Sequence, residues 1–219
     1  MTTYDRPTTE SPTDTSPRYG VRLGSLIVAL LCAVGVWVVQ QVAVQTQTGQ
    51  RRDAWLLDAV NSLAPVAWET PADRVSEGLF GAAIIVALAI GLSSLVQLRP
   101  DRLAVLAITV GGANLATQLL KHVVIERPAY TWTAPNSLPS GHVTMVASVA
   151  FMLVLLTAGA LRTLLIVVAA VATFAVSAAV MVAGWHRPSD VVAAVLVCGG
   201  FAALMVAAVG TDSRPQTWA

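Results

Sequence analysis

Long apolar stretches leave this chain few folds to choose from. Residues 23–44, 79–98, 103–124, 142–161, 164–185 and 191–209 carry almost no charge. Each is close to the ~20 residues with which a helix crosses a ~30 Å hydrocarbon core. Backbone groups in lipid must satisfy their own hydrogen bonds, which helices do within one segment. The expected fold is therefore all-α: an integral membrane protein with six transmembrane helices over residues 21–210. Composition agrees, since 56% of the 219 residues are apolar and only 11% are charged.

The segments between the runs set the topology. Residues 1–20 are rich in Thr, Ser, Pro and Asp and read as a disordered tail, and residues 211–219 as a second, short one. Arg18 and Arg22 precede the first run, as in a signal peptide. A signal peptide's apolar core is only ~7–15 residues long and ends at a small-residue cleavage site, so this longer run is read as a retained helix. In the connection 45–76, Trp55, Leu56, Ala59, Val60 and Leu63 recur at helical spacing, with Asp53, Asp58, Asn61 and Ser62 between them. That pattern predicts a short amphipathic helix on the membrane surface, either a lid or lipid-entry platform or a plain anchor for the loop.

Six crossings put both termini on one side, together with Arg6, Arg18, Arg22, Arg99, Arg102, Arg162 and Arg214. Arg51, Arg52 and Arg74 fall on the other side with Lys121, Arg127 and Arg187. The positive-inside rule then makes the tails cytoplasmic and the 45–76 loop extracytoplasmic. Arginine-rich, Ala/Val-rich usage points to a bacterial cytoplasmic (inner) membrane. A net charge of +1 without a basic run gives nucleic acid nothing to hold. Cys32 and Cys198 lie inside apolar runs and indicate neither a disulfide nor a metal.

Three polar islands interrupt this pattern, all on the side opposite the termini. The first is Lys121, the only lysine, with Arg127-Pro128; the second is Pro139-Ser140-Gly141-His142; the third is His186 with Asp190. All three histidines (His122, His142, His186) lie in or beside them. Two cations, a hydroxyl, and a glycine opening a helix are what a phosphate group requires, because free N–H groups and the helix dipole at that end favour an anion. His186 and Asp190 stand four residues apart at a helix start, so the acid can hold one imidazole nitrogen and fix the tautomer. Asn114, Gln118 and Lys121 share a helix face. The first two are equally readable as hydrogen-bonding glue between helices. Ser140-Gly141 alone would pass for an ordinary helix-entry turn, and Tyr130, Trp132 and Trp185 for interfacial aromatics.

Taken in order, Lys121…Arg127-Pro128, Pro139-Ser140-Gly141-His142 and His186…Asp190 resemble the signature of the type 2 phosphatidic acid phosphatases (PAP2). These are membrane relatives of bacterial acid phosphatases and vanadium haloperoxidases. The resemblance runs from the third span to the sixth and implies a PAP2/vanadium-haloperoxidase-like helix bundle. It implies a metal-independent enzyme, with no cofactor, that hydrolyses a phosphomonoester or diphosphate of a lipid of the polyprenyl phosphate or phosphatidic acid type. By position, His186 becomes the nucleophile that forms a phosphohistidine, Asp190 its orienting acid, and His142 the general acid and then base. Lys121, Arg127, Ser140 and the Gly141 N–H become the phosphate cradle. Two features depart from the family pattern. Lys121 and Arg127 are separated by five residues where six are usual, and the Ser-Arg pair expected before His186 falls on Ala179-Val180. Arg187 is the candidate replacement cation. His122 and Glu126, beside the first island, are read either as specificity residues or as interfacial polar ones. A phosphotransferase using the same phosphoenzyme, a non-catalytic lipid-phosphate binder or transporter, and a metal site of His142, His186 and Asp190 remain alternatives. The expected partners are the lipid phosphate and the surrounding membrane lipids. Oligomeric state is left open.

Overall fold

The computed structural model describes residues 16–130 and 136–209. Most of the two tails, with Arg6, Arg214 and Trp132, lies outside the described residues. All regular structure among the described residues is helical. Helix α1 (Ser16–Val39) runs into a π-helical turn, Gln40–Val44, so it begins inside the stretch expected to be tail. Helix α2 (Gln47–Leu63) follows, with Thr46 as N-cap accepting from the Gly49 amide. A short 3₁₀ turn, Val66–Trp68, leads into α3 (Glu69–Val96). The connection 45–76 is thus mostly helical, and its end is already the start of α3, with Glu69 placed favourably in the first turn.

The third crossing is built from α4 (Pro100–Leu106), a π-helical turn (Ala107–Gly112), α5 (Ala113–Leu119) and a second π-helical turn (Leu120–Val124). It is followed by α6 (Gly141–Leu155), α7 (Gly159–Val182) and α8 (Pro188–Val209). Among the described residues, five segments are long and apolar enough to cross a membrane: Gly20–Val44, Val66–Val96, Pro100–Val124, Gly159–Val182 and Pro188–Ala208.

The expected fourth span, 142–161, is where sequence and structure part. Helix α6 has only 15 residues, about 22 Å at 1.5 Å per residue. The chain turns at Leu156–Ala158, and Arg162 lies inside α7 rather than at the turn. Gly159 takes the left-handed conformation at φ 61°, which costs glycine little. The Thr157 hydroxyl bonds back to the Leu153 carbonyl, and Arg162 Nε donates to the Thr157 carbonyl. Small apolar residues made this turn look like continuous helix.

Short as it is, α6 is the axis of the bundle. None of its residues is exposed, and α3, α5, α7 and α8 pack around it. Val143, Val146, Val149 and Met152 meet Ala83, Ala87, Val110, Val176, Val180 and Ala194 in the main core. On the flank α1 packs along α8, where a Cβ on Gly199 or Gly200 would lie 3.5 or 3.3 Å from Cys32. Small residues let helices approach this closely when dispersion, not water exclusion, drives their association. Asn114 donates to Ser148 Oγ (3.2 Å), and Thr117 pairs with Thr144 (3.0 Å). Asn114 is therefore interhelical glue, while many large apolar residues of α1, α3 and α7, such as Leu30, Leu88 and Phe174, point outward.

Candidate functional site

At one end of α6 the chain gathers the polar residues that the sequence scatters over three loops. The third island owes its shape to the end of α7. Gly184 adopts φ 71°, its amide donates to the Met181 carbonyl, and the Trp185 amide reaches back to Val180. This is a Schellman helix end, which needs a left-handed residue at that position. It reverses the chain and delivers His186, whose amide also bonds to the Val180 carbonyl.

Helix α8 starts two residues later, with Pro188 where its missing N–H costs nothing. Asp190, fully buried, turns back over that start. Its Oδ2 accepts from Ser137 Oγ (2.7 Å) and from the Arg187 amide (3.0 Å), and it meets His186 Nδ1 at 3.2 Å. An ionised carboxylate only accepts, so in the neutral imidazole the proton belongs on Nδ1 and the lone pair on Nε2. Ser137 was missed in the sequence; its one signal is its place just ahead of Pro139-Ser140-Gly141-His142.

The second island is pinned to the third by the Ser140 amide, which donates to the Asp190 carbonyl at 3.0 Å. Ser140 is buried and acts as N-cap of α6. Its hydroxyl accepts from the Val143 amide (3.5 Å), and its carbonyl takes the Thr144 amide and hydroxyl. The helix-entry role is therefore real, and the amides left without an intrahelical partner are those of Gly141 and His142. Gly141 faces α5, where an added Cβ would come 3.7 Å from Gln118 Nε2. The His142 ring lies between Phe80 (centroids 4.7 Å apart) and Trp185 (5.2 Å), which gives Trp185 a closer task than lining the interface.

The first island supplies cations. Lys121 lies in the π-helical turn Leu120–Val124, where the 100° step of an α-helix no longer applies. Its charge is felt by Asp190 and His142. Asn136 fixes the local backbone through the Lys121 carbonyl at 3.2 Å. Arg127 is unusual: Nε, Nη1 and Nη2 are all buried, and none has a hydrogen-bond partner among the described residues. Burial and the neighbouring Arg187 guanidinium both pull its pKa below the usual arginine range, with Asp190 and Asp53 offsetting part of this. Arg187, also buried, donates Nη1 to Ser137 Oγ at 3.3 Å. His122 and Glu126 are exposed. Val180, where the resemblance implies an arginine, has its side chain fully buried in the core.

One further residue was misread in sequence. Asp53 was assigned to the polar side of a surface helix, yet it is 4% exposed, while Trp55 and Leu63 are 67% and 86% exposed. Helix α2 turns Gly49, Gln50 and Asp53 inward, while Asp58 and Ser62 stay exposed. Burial raises the Asp53 pKa, and hydrogen bonds from Ser189 hold it back.

Two guanidinium groups, a lysine and a helix N-terminus around a buried His–Asp pair can hold a tetrahedral anion against an imidazole nitrogen. Among the described residues no three His, Cys, Asp or Glu side chains form a metal-ligand group. A family model described as the PAP2 superfamily matches residues 97–214, more than half of the chain and all three islands. Neither the curated proteins nor the solved structures gave a match.

Proposed function

The chain belongs to the PAP2 superfamily, and from that premise we propose that it is a multi-pass membrane lipid phosphatase working through a phosphohistidine. The observation that carries this reading is the Arg127 guanidinium, its nitrogens buried without a hydrogen-bond partner among the described residues, within the field of the Asp190 that holds His186 Nδ1. A buried charge without partners is costly, and a phosphate would supply both the charge and the acceptors.

In the proposed reaction, Nε2 of His186 attacks phosphorus and forms a P–N bond as the bond to the leaving oxygen breaks. His142 donates a proton to that oxygen. It then takes a proton from water, which attacks the phosphohistidine, breaks the P–N bond and releases inorganic phosphate. Asp190 stabilises the imidazolium. Lys121, Arg127 and the Gly141 amide hold the phosphoryl oxygens as their charge redistributes, with Ser140 shaping the helix start. Arg187, whose guanidinium donates to Ser137, takes the place of the cation absent at Val180.

The substrate is a phosphomonoester or diphosphate on a lipid of the polyprenyl or phosphatidic acid type, whose tails keep it in the bilayer. We place α6 as a sixth, lipid-shielded crossing, the termini in the cytoplasm, and the site on the outer face of a bacterial inner membrane. The test is phosphate release from dioctanoyl phosphatidic acid and a polyprenyl diphosphate in detergent with EDTA. His186→Ala is expected to lose at least ~10³-fold of the rate, the scale for removing a covalent nucleophile. Undiminished release would sink the assignment, and EDTA-sensitive release restored by a divalent ion would favour metal chemistry.

A further inference from the structure

Helix α2 lies outside the family match, yet it holds both cationic loops of the site. Gln50 is fully buried, and its Nε2 donates to the Val44 carbonyl (2.8 Å) and to the Pro128 carbonyl (2.7 Å), next to Arg127. One helical turn on, Asp53 accepts from the Ser189 amide (3.0 Å) through Oδ1 and from the Ser189 hydroxyl (2.6 Å) through Oδ2. Ser189 separates Pro188 from Asp190, so Asp53 satisfies an N–H at the start of α8 that the helix cannot satisfy itself. The Asp190 and Val191 amides both go to the Arg187 carbonyl. The start of α8 is thus closed by two carboxylates, Asp190 from within and Asp53 from α2.

The seat of α2 is tight. A Cβ on Gly49 would stand 1.7 Å from the Val42 carbonyl oxygen, so the helix lies against the end of α1 with no room for a side chain. Gly49, Gln50 and Asp53 form its buried face.

We propose that α2 is a positioning strap: Asp53 fixes the turn carrying His186 and Asp190, and Gln50 fixes the loop carrying Arg127. Asp53 is a positioning residue, acting through Ser189. This rests on the phosphohistidine reading above.

The experiment measures phosphate release from dioctanoyl phosphatidic acid by wild type, Asp53→Ala, Asp53→Asn and His186→Ala. Hydrogen exchange is followed alongside in the peptide covering residues 186–191. Asp53→Ala is expected to lose up to roughly 100-fold in kcat, the scale of an ångström misplacement, with a smaller rise in KM, since Lys121, Arg127 and the Gly141 amide stay in place and only Arg187 moves with the turn. Asp53→Asn keeps an acceptor and is expected to recover part of kcat, and exchange at 186–191 quickens in the alanine variant. Wild-type kcat in Asp53→Ala, or a raised KM at unchanged kcat, overturns the strap while His186→Ala still tests the chemistry. If Asp53→Ala fails to fold, wild-type kcat in Asp53→Asn with unchanged exchange overturns it equally. Should His186→Ala stay active, the phosphohistidine reading falls, and exchange alone decides whether Asp53 holds the turn.

Discussion

Replacing Arg127 by methionine should make the empty protein more stable and the phosphate-bound protein less so. All three guanidinium nitrogens are buried without hydrogen-bond partners among the described residues, and a buried group left unsatisfied costs about 1–3 kcal/mol, more when charged. Asp190 and Asp53 attract the group while Arg187 repels it, so part of that cost is already offset. Methionine has similar reach, no charge, and adapts to irregular gaps. The expected net gain is about 1 kcal/mol, or ~2–4 °C in Tm for a chain of this size. Inorganic phosphate should reverse the order. At a hundred times its Kd, a ligand that binds only the folded state stabilises by about 2.7 kcal/mol, and Arg127→Met should lose most of that increment. The assay is thermal unfolding in detergent over a phosphate titration, with sodium chloride as ionic-strength control. Lower stability of Arg127→Met without phosphate, or an equal phosphate increment in both proteins, would refute the view of Arg127 as an unfilled anion ligand.

Other consequences can be checked alongside it. Arg187→Ala should raise KM for lipid phosphate about tenfold, the loss of one charge-assisted contact of ~1.5 kcal/mol, with Arg187→Lys falling between; steady-state kinetics showing no change would remove Arg187 from the cradle. Gly49→Ala puts a methyl group on the Val42 carbonyl and should destabilise by at least ~1–3 kcal/mol, the usual scale of overpacking, read as a lower Tm and faster proteolysis near residue 50. Thr117→Val breaks the buried pair with Thr144 and should cost about 1 kcal/mol without altering kcat. Burial raises the Asp53 pKa, so its contribution to stability is full below the ordinary carboxylate range near ~3.9. It is lost as pH rises through the raised value. Asp53→Asn should flatten that part of the Tm–pH curve, and an unchanged slope would remove Asp53 as its source.

What the sequence alone decided is the part governed by period and solvent. Apolar runs of bilayer length, with polar residues held to their ends, specify membrane helices. The order of Lys121, Arg127, Ser140-Gly141-His142, His186 and Asp190 specifies the family, because each chemistry-bearing residue sits at a helix end where it needs few other contacts. Tertiary structure decided what depends on which faces meet. The α6–α7 turn was hidden because Leu156–Gly159 is as apolar as a helix interior, and only the left-handed Gly159 and the bond from Arg162 to Thr157 place it. Ser137 looked like loop filler until folding set it between Asp190 and Arg187. Asp53 was misread for a physical reason. Helical periodicity separates polar positions from apolar ones but does not say which neighbour each one meets. Of Asp53, Asp58, Asn61 and Ser62, Asp53 alone is buried, on the N–H of Ser189. That contact joins residues 136 apart in the chain, a distance over which no local pattern carries information.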